Sequence, residues 1–333
     1  MTRRIKISIQ ASHEQYHPSD LLEDVLYMEK KGIKRCWTSD HYMPWWNSGA
    51  SGGAAWPWMG AALAKTCDLV LGTGVTAPIL RYHPAIVAQV FATLASMFPN
   101  RVILGLGRGE AMNEVTSGNV WPTNAERFAM LREAIKLIKK LWKEKWVTFT
   151  GEYYWVKDSR LYTKPDEPIP IYIAAAGKQS AELAGEEGNG LITTESNIDK
   201  IRNNLIPAFE KGEGKREQDQ KATINKEIVL FIPASYDEDE EKSLQSIRFW
   251  RGSMIKAFFE TDIHDPRKIE ENGLIIEDDS LKKHLFLISS AEEAIRKISA
   301  FADAGITEIV LTNSSPNKQK LIDLLTDRII PSL

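Results

Sequence analysis

Residues Thr38–Gly49, TSDHYMPWWNSG, follow the apolar-leaning run Lys34–Trp37. They place an acid, a histidine and two indoles where a buried strand should end. A histidine beside a carboxylate suits chemistry in which a proton moves near neutral pH. His41 therefore admits two readings, a histidine hydrogen-bonded at a strand end or an acid/base. Asp40 can accept a hydrogen bond or contact a ligand. Trp45 and Trp46 either cap a core or wall a reacting carbon from water. A second group of residues is Gly105-Leu-Gly-Arg-Gly-Glu110-Ala-Met-Asn113. Glycines after a strand let backbone approach a ring or phosphate closely. Glu110 is placed to exchange a proton with a heterocycle, or simply to start a helix. Glu14 carries the same pair of readings.

These side chains must be positioned by elements that the pattern of apolar residues reveals. Short β-branched runs recur at Ile5–Gln10, Arg35–Ser39, Leu69–Ala77, Arg101–Gly107, Ile169–Ala175, Gly190–Thr194, Ile228–Ala234 and Glu308–Thr312. Amphipathic stretches such as Pro84–Phe98, Ala125–Trp142, Gln179–Gly188, Ile198–Lys211 and Ala291–Ala304 separate most of them. Eight strands alternating with helices predict an α/β chain folded as a (β/α)8 barrel, one domain over 1–333. Insertions are expected near 111–168, with a hairpin over Trp146–Lys157, and near 236–283, where Asp237–Glu241 reads as a solvated helix start. In such barrels chemistry sits at the C-terminal ends of the strands. Glu14, Asp40, His41 and Glu110 all fall there.

Composition narrows the function. Charged residues at 26% and hydrophobic residues at 43% are ordinary for a globular chain with a sizeable core. A net charge of −3 and pI near 6.1 leave no basic footprint for nucleic acid. No apolar run reaches the ~20 residues of a membrane span, and the first residues turn straight into strand pattern, so a soluble, cytoplasmic protein is expected. Cys36 and Cys67 read as small core residues rather than a disulfide. His13, His17 and His83 do not recur with carboxylates in ligand spacing, and no metal is expected; His83-Pro84 reads as a helix start. The Gly-x-Gly-x-Gly-Glu spacing is not a dinucleotide fingerprint.

Several stretches together resemble one family. TSDHYMPWW, RYHPAIVAQVFATLASMFPNRVILGLGRGEAMNE, GEYYWVKDSRLYTKPDEPIPIYIAAAG and the RFW at 248–250 are similar to F420-dependent dehydrogenases of the bacterial luciferase-like superfamily, the glucose-6-phosphate and secondary alcohol enzymes among them. The resemblance implies a luciferase-like TIM barrel, a homodimer, and coenzyme F420 as hydride carrier. It implies that His41 takes an alcohol proton, Trp45 shields developing charge and Glu110 protonates the deazaflavin, with Glu14 in the same catalytic set. Asp40, Ala77, Arg108, Gly109 and Asn113 would contact the cofactor rings. Ala176, Gly177, Gln179 and Ser180 would face its phosphate-bearing tail, and a cis peptide would join Gly74 to Val75. Thr194, Asn197, Glu260 and His284 would meet the substrate. In the sugar-phosphate enzymes two lysines and an arginine clamp the phosphate; here those positions align with Asn197, Glu260 and His284. The substrate is then a neutral alcohol, with a sugar 6-phosphate bound by a rearranged clamp as the alternative. Flavin-dependent monooxygenase relatives lack the Asp-His-x-x-Pro-Trp set.

Overall fold

The structure, a computed structural model, describes residues 5–216 and 227–333. Eight parallel strands close on themselves: β1 (Lys6–Ala11), β2 (Arg35–Thr38), β3 (Val70–Thr73), β4 (Val102–Leu106), then β7 (Ile171–Ala174), β8 (Gly190–Thr193), β9 (Glu227–Tyr236) and β11 (Glu308–Asn313). The ring shuts where β8 pairs with β9 and β11 pairs with β1. These are the eight runs read from the sequence. Their near-continuous apolar character follows from burial on both faces. Trp37, Ile103, Tyr172, Ile192, Val229, Phe231 and Val310 fill the interior.

Between β4 and β7 lies the antiparallel pair β5 (Val147–Thr150) and β6 (Trp155–Ser159), the expected hairpin. Glu133 fastens its turn by accepting from the backbone N–H groups of Glu152, Tyr153 and Tyr154. One strand escapes the sequence reading: β10 (Phe286–Ile288), too short to show a period, pairs with the far end of β9.

The helices in the first part of the chain are α1 (Pro18–Lys30), α2 (Ala55–Lys65), α3 (Pro84–Met97), α4 (Ala111–Glu114), α5 (Asn124–Lys143) and α6 (Lys178–Glu187). His17 and His83 each cap a helix, the ring accepting from Ser19 N–H and Ala85 N–H and a proline following. α2 is apolar almost all round, so no amphipathic period marks it. The stretch expected from Ile198 to Lys211 is helical through Gly214, with a wider turn over Ile201–Leu205. Cys36 is buried as expected, but Cys67 is exposed: it lies in the turn between α2 and β3, where its N–H donates to Glu29.

The second insertion forms a cover. Helix Glu240–Ile247 is capped by Asp239 within the acidic run, and short helical turns follow as far as His284. Its apolar side chains, Ile247, Trp250, Phe258, Ile269 and Leu281, make a separate core with Trp45 and Met112 from the barrel mouth. At the opposite end of the barrel Arg35 bridges Glu227 and Glu308, while Trp37 Nε1 donates to Glu308 at 2.9 Å. No helix among the described residues is long and apolar enough to cross a membrane.

Candidate active site

The loops after β1, β2 and β4 bring three titratable side chains together. His41 Nε2 lies 3.3 Å from Glu110 Oε2 and 3.5 Å from Glu14 Oε1. Burial works to lower the basicity of His41, but Glu110 and then Glu14 outweigh it and raise its pKa; Arg81 opposes them and Asp40 adds to them. Burial also pushes the Glu110 pKa up, assisted by the charge of Glu14 and resisted by His41, Arg81 and a hydrogen bond from Asn113. A base made stronger and an acid kept toward its protonated form now sit in contact, the pattern expected where protons are exchanged.

Local structure fixes what each acid touches. Glu110 occupies the N-cap position of α4, yet its side chain makes no cap hydrogen bond and turns to Asn113 and His41 instead. Glu14 precedes α1 and is buried, accepting at Oε2 from Ser12 Oγ at 2.9 Å and from Ser39 Oγ. Ser39 Oγ accepts in turn from His13 N–H at 2.9 Å. Asn113 Oδ1 takes the N–H groups of Tyr42 and Met43 at 2.8 and 3.1 Å. Its NH2 end is thereby left for Glu110 at 2.9 Å.

Asp40 is 3% exposed. It accepts from Thr76 Oγ1 at 2.6 Å and from Tyr82 OH at 3.2 Å. Arg81 donates to its carbonyl at 2.9 Å. Arg81 also donates its backbone N–H to Glu114, a buried acid whose pKa burial lifts to about 7 against the pull of Arg81. Trp45 is buried beside His41, with ring centres 6.1 Å apart, and packs on Phe259 at 4.9 Å. Trp46 is half-buried next to the cover. Sequence reasoning missed Arg81, Glu114, Ser12 and Ser39. Arg81 and Glu114 lie inside the motif stretches, but only folding shows that their side chains meet.

The Gly74–Val75 peptide is cis. A Cβ on Gly107 would come within 2.5 Å of Val75 Cγ2, so this peptide packs tightly on the end of β4. Gly109 adopts a φ of +69°, with Ala77 and Glu114 around it, and Arg108 pairs with Asn124. Gly177 is the N-cap of α6; it carries no side-chain cap, and a Cβ there would meet nothing within 4 Å. Ala176 and Gln179 are exposed beside it and Ser180 is buried. The N–H groups of this helix start suit an anion. A heterocycle with an acidic tail fits this donor set: the carboxyl of Glu110 at one end, bare helix N–H groups at the other.

The residues expected to meet the substrate are more scattered. Thr194 follows β8 and is exposed, and Asn197 caps the next helix by accepting from Lys200 N–H. Glu260 is exposed at the end of helix Ala257–Glu260, and His284 is exposed with its Nδ1 bonded to the Ser280 carbonyl. Among the described residues no hydrogen bond, ion pair or ring contact joins these four to one another or to His41.

The luciferase-like monooxygenase family profile matches residues 4–308. An F420-dependent glucose-6-phosphate dehydrogenase of Amycolatopsis mediterranei is 35% identical over 99% of this chain and 98% of that protein. The enzyme of the same name from Microbacterium testaceum is 36% identical over 100% and 98%. Among solved structures, an F420-dependent secondary alcohol dehydrogenase in complex with an F420–acetone adduct superposes with a TM-score of 0.92 at 38% identity, covering 98% of each chain. A coenzyme F420 dependent tetrahydromethanopterin reductase from Methanopyrus kandleri shares the fold, with a TM-score of 0.76 at 22% identity over 99% of both. With profile and barrel agreeing over most of its length, the chain belongs to the luciferase-like monooxygenase family.

Proposed function

We propose that the protein is an F420-dependent dehydrogenase that oxidises a compact, largely apolar alcohol at a CH–OH carbon. The observation that carries this is the contact of His41 with both Glu110 and Glu14 beneath Trp45. Coenzyme F420, when bound, supplies a deazaflavin ring carbon that accepts hydride. Asp40, Gly74, Val75, Ala77, Arg108, Gly109 and Asn113 would hold its rings, and Ala176, Gly177, Gln179 and Ser180 its tail. His41 takes the hydroxyl proton of the alcohol, since the Glu14 carboxylate beside it favours the imidazolium. Glu110 holds a proton on its carboxyl for the pyrimidine side of the ring. Trp45 excludes water and stabilises the polarised carbon–oxygen bond from one side.

A neutral alcohol is favoured over a sugar phosphate. The side of the mouth near Trp45 is covered by Met43, Met112, Phe258 and Phe259, which are apolar. The positions aligned with the phosphate clamp hold Asn197, Glu260 and His284, and Asn197 is engaged in capping a helix. A sugar 6-phosphate held by Lys256, Lys282 or Lys283 is the second reading, supported by the names of the sequence relatives. Exposed Trp146, Trp155 and Tyr162 are consistent with assembly as a homodimer. Titrating the cofactor-free protein tests the reading: F420 should bind, and FMN, NAD and NADP should support little turnover. Robust turnover with a nicotinamide alone would overturn it.

A further inference from the structure

We propose that Ser12 and Ser39 are positioning residues that hold the Glu14 carboxylate aimed at His41 and so set the basicity of that imidazole. The proposal rests on the reading of His41 as the base of the reaction, and deepens it. Both hydroxyls donate to the same oxygen, Glu14 Oε2, leaving Oε1 as the one that faces His41 Nε2. The direction of the Ser39 bond is fixed by its surroundings. Its oxygen already accepts from His13 N–H, so its single hydrogen is free for the carboxylate. Ser12, Ser39 and Glu14 are all buried, at 0%, 1% and 2% exposure, where water cannot replace a missing donor.

Two hydroxyl donors on one oxygen fix the orientation of the buried Glu14 carboxylate, and a carboxylate held beside an imidazole makes it more basic. Other charges face the same pair. Glu110 and Asp40 act on His41 with the sign of Glu14, Arg81 opposes them, and the neutral amide of Asn113 lies 3.5 Å from Nδ1. The charge of Glu14 also acts on His13, but burial holds the pKa of that ring down at about 4, so it is uncharged at neutral pH. The serines therefore act on one of two carboxylates at the base, and their effect is separable from that of Glu110.

The test reads the His41 ring by NMR in the cofactor-free protein with labelled histidine, using His41→Gln to assign the resonance. Ser12→Ala and Ser39→Ala should each lower the titration midpoint of His41 by roughly half to one pH unit. The double variant should approach the midpoint of Glu14→Gln, and Ser39→Thr, which keeps the hydroxyl, should stay near the wild type. With F420 and a secondary alcohol, the acid limb of kcat should move the same way while KM holds. Ser12 makes no side-chain bond other than that to Glu14 among the described residues, so Ser12→Ala alone decides the matter if Ser39→Ala does not fold. The proposal is overturned if Ser12→Ala titrates like the wild type while Glu14→Gln shifts. Absence of F420 turnover would instead remove the functional reading and leave the ring titration to stand or fall alone.

Discussion

His41 and Glu110 can be told apart from structural residues by how their loss divides between rate and binding. His41→Ala should leave F420 affinity nearly intact and lower turnover by roughly 10²–10⁴-fold, the range for a lost general base. Glu110→Gln should also reduce rate more than binding. Wild-type turnover in either variant would make that residue a structural one. Glu114 offers a test of a different kind. Burial lifts its pKa to about 7 from an ordinary 4.5. Between those values the unfolded chain has lost the proton and the folded chain retains it, so stability falls as pH rises through this window. Glu114→Gln has no proton to lose, and should remove a slope of up to about 1.4 kcal/mol per pH unit. Urea unfolding of both proteins from pH 4.5 to 7.5 measures it; parallel curves would show that Glu114 does not titrate there. The candidate His41, Glu14 and Glu110 were legible in the sequence because each ends a strand-like run. Their supports were not, because Ser12, Ser39 and Arg81 matter only through side-chain directions that a loop sequence leaves open.

The elements divide into a barrel whose strands could be read directly and a cover that could not. Strands buried on both faces announce themselves as β-branched runs. Within 236–283 the helices are short and their apolar residues answer to Trp45 and Met112, which are far away in the chain, so local periodicity carries little of the pattern. The cover has its own core, and that makes a prediction. Leu281 is fully buried in it. Leu281→Ala should cost about 2–5 kcal/mol locally. Hydrogen exchange should then quicken across 240–284 while β1, β2 and β4 remain protected. Equal loss of protection in the barrel strands would show that cover and barrel unfold as one unit. Because Trp45 belongs to both, the same variant should raise KM for the alcohol more than it weakens F420 binding.

At the scale of the whole molecule, fold and family were legible from end to end, whereas the substrate was not. The barrel mouth is shared by relatives whose names cite a sugar phosphate and a secondary alcohol. On the proposed reading Asn197, Glu260 and His284 occupy the positions where a phosphate clamp would need cations. Each lost charge-assisted hydrogen bond should cost about 1.5–3 kcal/mol, so three together weaken phosphate binding by several powers of ten. The decisive measurement is the initial rate of loss of oxidised F420 absorbance when purified protein and F420 are given a small secondary alcohol or glucose 6-phosphate. A neutral alcohol dehydrogenase should oxidise the alcohol faster and handle glucose 6-phosphate poorly. Efficient oxidation of glucose 6-phosphate at micromolar concentration would contradict this, and would assign the clamp to Lys256, Lys282 or Lys283.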